Sequence, residues 1–220
     1  MKKWIIAVNS LFILGMLNAQ TQEPAFRKDI DAFKKADSRQ MPAANSILFV
    51  GSSSFTKWTD VQDYFPGYPI LNRGFGGSTL ADVIRYADEI IIPYHPKQII
   101  IYCGENDIAA SDTITPQIVS NRFQQLFSII RKKLGKVPVG FISIKPSPSR
   151  WKLEARFVEA NRLIKAFLDK QKNAVFIDVH TAMLNADGSV KTTIFIADNL
   201  HMNAKGYHIW QPIIANYLNR

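Results

Sequence analysis

Three short stretches carry side chains that could do chemistry together. Gly51-Ser52-Ser53-Ser54 places three hydroxyls behind an apolar run, Gly104-Glu105-Asn106-Asp107 places an amide between two carboxyls behind another, and Asp198-Asn199-Leu200-His201 spaces a carboxylate and an imidazole three residues apart. A fourth stretch, Gly74-Phe75-Gly76-Gly77-Ser78, offers backbone N–H groups with little side-chain bulk. A serine, a histidine, an acid, a glycine N–H and a side-chain amide are the parts needed for acyl transfer: a nucleophile, its base, the group that orients the base, and donors for the developing oxyanion. Each stretch alone is weak, since serines after a strand are ordinary turn formers. Their weight depends on whether the fold brings them to one place.

The elements that must do so alternate. Ile47-Leu48-Phe49-Val50 is continuously apolar, as a strand buried on both faces should be. Further strands are predicted at Ile70–Arg73, Gln98–Tyr102, Val137–Ser143 and Ala174–Asp178. Between them run helical patterns: Glu23–Gln40 with apolar Phe26, Ile30, Phe33 and Ala36; Thr79 to about Ile91; Thr115–Leu134 with Pro116 at its first position; Lys152–Lys172; and Asn203–Leu218. Trp58–Phe65 reads as a short helical or irregular segment. Short buried strands alternating with helices argue a parallel sheet covered on both faces. The carboxyl ends of parallel strands share one edge, which is where open α/β sheets bind ligands, so the serine, glycine and asparagine stretches converge there.

The glycine-rich turn runs into a helix N-terminus, an environment suited to an anion. It lacks the glycine spacing and the following acidic residue of a dinucleotide fingerprint, so a nucleotide is not expected. Among rival residues, His95 lies before the third strand, at the wrong edge, and His208 lies inside the last helix. His180 follows the fifth strand and, with Asp178, is the competing base. Cys103, the single cysteine, reads as a small buried hydrophobe and ranks below serine as a nucleophile. No clustered His or Cys accompanies Asp198 and His201, so neither a metal nor another cofactor is expected.

Taken in order, the four stretches resemble the blocks of the SGNH/GDSL hydrolase superfamily, named for its Ser, Gly, Asn and His. The resemblance runs from Ile47 to the closing helix. It implies Ser53 as nucleophile, Asp198 and His201 as the Asp-x-x-His pair, and an oxyanion hole formed by Ser53, Gly77 and Asn106. It also implies a flavodoxin-like three-layer α/β/α sandwich with a five-stranded parallel sheet in the order 2-1-3-4-5. One residue departs from the pattern: Ser52 stands where the family usually has aspartate, so the choice among Ser52, Ser53 and Ser54 rests on the alignment, with Ser53 two residues after Gly51. The activity implied is a serine esterase acting through an acyl-enzyme. A carbohydrate O-acetyl esterase is the favoured member, with lysophospholipase, arylesterase and thioesterase as alternatives, and a non-catalytic carbohydrate binder on the same scaffold as the rival class.

Length and composition fit one hydrolase domain over residues 20–220, with 47% hydrophobic and 20% charged residues. Residues 1–19 read as a secretory signal peptide, with Lys2 and Lys3, an apolar run and small residues near Ala19, which would make the protein periplasmic or secreted without a membrane anchor after cleavage. The apolar run falls short of the ~20 residues of a spanning helix. Net charge is +9 and about +7 after the leader, but the longest basic run, Arg131-Lys132-Lys133, sits at a helix end where cations complement the dipole, so nucleic acid is not an expected partner. The partner expected is a small-molecule or carbohydrate ester. The loop Lys145–Trp151, held by Pro146 and Pro148 at the end of the fourth strand, is expected to face it, with Trp151 stacking on a sugar and Lys145 or Arg150 meeting hydroxyls or a carboxylate.

Overall fold

A computed structural model describes residues 23–219. The leader expected at residues 1–19 lies outside the described residues. Helix α1 (Arg27–Arg39) precedes strand β1 (Ile47–Gly51), which leads through two short helices, α2 (Ser53–Thr56) and α3 (Val61–Tyr64), to β2 (Ile70–Gly74). Then follow α4 (Leu80–Ile90), β3 (Gln98–Tyr102), α5 (Glu105–Ala110), α6 (Pro116–Leu134), β4 (Val139–Ile142), α7 (Glu154–Leu168), β5 (Ala174–Ile177) and α8 (Ala204–Ala215). All sheet pairings are parallel and the strand order is β2-β1-β3-β4-β5, as expected.

Side chains alternate across each strand, so one buried run serves two cores. Leu48 and Val50 of β1, with Ile99 and Ile101 of β3, pack beneath α1, α4, α6 and α7. Ile47 and Phe49, with Ile100 and Tyr102, face Trp58, Met183 and α8 through Tyr207 and Trp210. Among the described residues the second layer contains one long helix, α8; short turns and an aromatic cluster cover the rest, with Trp58 stacked on Tyr207 at 4.6 Å between centroids.

Two helix starts follow the sequence signals closely. Thr79 caps α4 in a capping box with Asp82, and Thr115 accepts from the Ile118 N–H above Pro116. The basic run ending α6 does what its position suggests: the Arg131 guanidinium donates to the carbonyls of Val137 and Asn173 at 2.6 and 2.8 Å. Differences lie where local pattern is thin. Helices α2 and α5 follow strand ends directly and are too short to show an apolar period. The helix expected over Lys152–Lys172 is shorter, α7 running Glu154–Leu168; Lys152 and Leu153 belong to a 3-10 turn, Pro148–Leu153, and Leu153 at φ −97°, ψ 0° lies outside the helical region at the junction.

Candidate active site

The strand order reverses beside β1: the chain moves from β1 to β2 on one side and returns to β3 on the other. A crevice opens at such a point outside the strand ends, and the serine and asparagine stretches flank it, one after β1 and one after β3. Gly51 makes the first turn possible. Its φ is +142°, and a Cβ there would stand 1.9 Å from the Tyr102 carbonyl oxygen, so no other residue fits. The chain then enters α2 at once, with Ser52 donating its N–H to Tyr102 O at 3.0 Å.

Of the three serines, Ser52 and Ser54 are 4% and 3% exposed, whereas Ser53 is only half-buried. Ser53 Oγ lies 3.0 Å from His201 Nε2, and His201 Nδ1 lies 2.6 Å from Asp198 Oδ2. With Nδ1 protonated toward Asp198, Nε2 is left to accept the serine proton. Asp198 Oδ1 also accepts the backbone N–H groups of Leu200 and His201, both at 2.9 Å. Desolvation alone would raise this carboxyl, but the His201 side chain and the two N–H bonds outweigh it and hold Asp198 well below the usual carboxylate range.

The loop bearing this pair is built to keep its shape. A Phe195–Met202 bridge closes its base, Ile196 N–H bonds His201 O at 2.9 Å, and Asn199 adopts φ +56° at the bend. Asn203 then caps α8 and holds Thr193 O and Phe195 O at 3.0 Å each.

Behind β2, Gly76 abuts Ser53; a Cβ on it would lie 3.9 Å from that of Ser53. Gly77 follows, exposed, with φ +86° and the Phe26 ring 3.7 Å from its Cβ direction. Among the described residues neither Ser53 N–H nor Gly77 N–H has a protein acceptor. Asn106 sits on α5 with both amide protons engaged, Nδ2 donating to Ser52 Oγ at 2.7 Å and to Ser78 O at 3.1 Å. Ser52, the residue that replaces the family's aspartate, is thus a hydrogen-bond partner of Asn106. The neighbouring Asp107 is fully buried and accepts from Leu80 N at 2.8 Å and Arg122 Nη1 at 2.7 Å, which ties α5 to the start of α4.

The expected substrate-facing loop is corrected in part. Lys145 is 1% exposed and cannot meet substrate: Asn161 clamps Ile144 through its N–H and C=O at 2.8 and 2.9 Å, which turns the next side chain inward. There Lys145 Nζ meets Glu105 Oε2 at 3.1 Å and Leu200 O at 2.8 Å. Arg150 reaches the site, but through protein groups, donating to Asn106 Oδ1 at 3.0 Å and lying 3.2 Å from Glu105 Oε1. Trp151 is 41% exposed and does not join the core. With Pro148, Asn185, Ser189, Val190 and Thr192 it lines a groove of 430 Å³. The rival His180 is elsewhere engaged, its Nε2 bonded to Glu154, while Asp178 bonds Thr181 instead of His180. His95 and His208 lie away from the site, the latter bonded to Ala204 O within α8. Cys103 is buried, and burial pushes its thiol well up, away from thiolate chemistry.

Sequence reasoning missed Glu105 as a participant. It is buried beside the site, accepting Tyr102 OH at 2.7 Å as well as Lys145. Its partner Lys145 lies forty residues on, so no local spacing could have announced the pair.

The model of the GDSL-like Lipase/Acylhydrolase family matches residues 45–209, three quarters of the chain and all four stretches. The chain belongs to this family. It is accordingly a carboxylic ester hydrolase. Platelet-activating factor acetylhydrolase IB subunit alpha2 of Gallus gallus is 26% identical over 172 residues, covering 73% of this chain and 70% of that protein. A GDSL-like lipase from Bacteroides thetaiotaomicron shares the fold with a TM-score of 0.72 at 16% identity, covering 86% of this chain and 96% of the other. A catalytic mutant of an acetylxylan esterase from Geobacillus stearothermophilus has a TM-score of 0.63 at 14% identity, covering 80% and 94%. Among the described residues no helix is long and apolar enough to cross a membrane, and no group of three metal-ligating side chains occurs.

Proposed function

We propose that this ester hydrolase is a secreted serine esterase that removes O-acetyl groups from carbohydrates, with Ser53, His201 and Asp198 as its triad. The observation that carries the triad is the continuous hydrogen-bonded chain from Ser53 Oγ to Asp198. In the first half-reaction Ser53 Oγ attacks the ester carbonyl carbon while its proton passes to His201 Nε2. The carbonyl π electrons move to oxygen, then return as the bond to the alcohol breaks and His201 protonates the departing oxygen. In the second, water attacks the acyl–serine ester, gives its proton to His201, and the carboxylic acid leaves as Ser53 is reprotonated. Asp198 stays ionised throughout and stabilises the imidazolium.

The oxyanion is held by the N–H groups of Ser53 and Gly77 and by Asn106. Asn106 serves only if one amide proton changes acceptor, from the Ser52 hydroxyl to the substrate oxygen. For the acceptor, the groove at Trp151 joins an exposed indole and apolar Pro148 and Val190 to an amide and two hydroxyls. That mixture suits a sugar, apolar on its ring faces and polar at its edge. It adjoins the triad loop, since Ser149 N–H bonds Asn199 O at 3.0 Å. The esterases of acetylxylan and platelet-activating factor among its relatives both remove acetyl groups, which supports the acyl assignment. The leader-like residues 1–19 support secretion.

Two measurements test this reading. A fluorophosphonate probe should label Ser53 and nothing else; ligand binding without labelling would make the protein a non-catalytic binder. Trp151→Ala should spare a small chromogenic acetyl ester while weakening deacetylation of an acetylated polysaccharide. Equal losses on both substrates would remove the carbohydrate assignment, and preference for long-chain esters would replace it with a lipid one.

A further inference from the structure

Three charged side chains meet behind the site with almost no solvent: Glu105, Lys145 and Arg150, whose side chains are 8%, 1% and 21% exposed. Burying such a group costs free energy unless every charge is met. Here Glu105 accepts from Tyr102 OH at 2.7 Å and Lys145 Nζ at 3.1 Å, and forms an ion pair with Arg150 Nη1 at 3.2 Å. The two cations then reach outward to different parts of the site. Lys145 Nζ donates at 2.8 Å to the carbonyl of Leu200, which lies between Asp198 and His201. Arg150 Nη1 donates at 3.0 Å to Oδ1 of Asn106, the residue assigned to the oxyanion hole. Nothing else about the fold demands a lysine at the end of β4: Ile144 beside it is fully buried and apolar, and a methionine of similar length would fill the same space.

We propose that Lys145 and Arg150 are positioning residues for ester hydrolysis, joined through Glu105 so that one buried charge cluster fixes both the acid–base loop and the oxyanion amide. Lys145 anchors the peptide between Asp198 and His201 and so sets the distance from His201 Nε2 to Ser53 Oγ. Arg150 fixes which end of the Asn106 amide points to the nucleophile, because its donor demands the carbonyl oxygen and leaves the NH₂ facing Ser52 and Ser78. Glu105 lies between the two cations and offsets their charge in the interior. The inference rests on the triad assignment above.

A purely structural pair would behave differently from a positioning one, and the double variant separates them. Glu105→Met alone leaves Lys145 buried with no counter-charge, and Lys145→Met alone leaves Glu105 with only the partly exposed Arg150; each should lower the melting temperature, whereas removing both charges together should restore most of it, since Arg150 keeps solvent and Asn106 Oδ1. The expected result for Glu105→Met/Lys145→Met is a melting temperature near wild type with kcat on a chromogenic acetyl ester still reduced about 100-fold and KM changed little, the size that an ångström of misplacement costs. Recovery of kcat together with melting temperature would overturn the proposal. Arg150→Ala, at a partly exposed position, is the second arm and decides alone if the double variant does not fold. It should lose about 10-fold or more in kcat and regain part of it in millimolar guanidinium chloride, and wild-type kcat there would overturn the role assigned to Arg150. Ser53→Ala, assayed alongside, keeps the two readings apart. Activity in that variant refutes the triad itself, while an inactive Ser53→Ala beside a fully active double variant refutes only the positioning role.

Discussion

Replacing Asn106 by alanine would remove the oxyanion donor proposed above together with the hydrogen bonds its amide makes in the resting site. Three hydrogen bonds go with the side chain: Nδ2 to Ser52 Oγ at 2.7 Å, Nδ2 to Ser78 O at 3.1 Å, and Arg150 Nη1 to Oδ1 at 3.0 Å. None leaves a buried charge stranded, because Arg150 keeps its contact with Glu105 at 3.2 Å. With three hydrogen bonds lost, the stability cost should be about 2–4 kcal/mol, at about 1 kcal/mol for each ordinary bond and somewhat more for the one from a charged donor. The catalytic cost is separate, since the donor strengthens as charge develops on the carbonyl oxygen: about 100- to 1000-fold in kcat, or ~2.7–4 kcal/mol of transition-state stabilisation. KM should change little, because the ground-state carbonyl makes a weaker bond at that point. Asn106→Asp sharpens the test by preserving shape and the Arg150 contact while turning a donor into an anion, and it should fall below the alanine variant. The assay is steady-state hydrolysis of a chromogenic acetyl ester with thermal melting in parallel. A loss confined to KM would make Asn106 a ground-state binding residue, and an aspartate variant as active as wild type would refute its role as donor.

Ser53→Ala and His201→Ala should each fall to nearly the same low residual rate, with no further loss in the double variant, because nucleophile and base act as one unit; His180→Asn should stay within a few-fold of wild type, and its inactivity in a folded protein would exchange the two histidines. Away from the site, the Arg27 hydrogen bonds to Glu89 at 2.9 Å, joined by Lys34 at 2.9 Å, hold the Glu89 carboxyl at about 2 against its ordinary 4.5. A depressed carboxyl contributes its stability in full above 4.5 and loses it as pH falls toward 2, so the melting temperature should drop across that interval, and Glu89→Gln should flatten this part of the curve. An unchanged slope would show that the pair linking α1 to α4 carries no pH-dependent stability.

The alternation of elements was legible in the residues alone because the central strands β1, β3 and β4 are apolar on both faces and α4 and α6 carry their own start signals: β3 occupies Gln98–Tyr102 and α6 Pro116–Leu134, the residues their patterns mark. The serine and asparagine stretches were legible for the same local reason, each following an apolar run that ends abruptly. Local pattern could not choose among three adjacent serines. That choice is made by Gly51, whose φ of +142° turns the chain so that Ser52 and Ser54 point into the protein and Ser53 toward His201, 148 positions away. Nor could it tell that Lys145 is buried while Trp151 is not. A lysine between an isoleucine and a proline reads as a surface residue until the fold supplies Glu105, because the free energy of a buried ammonium is set by the partner it meets in space, and that partner has no fixed distance along the chain.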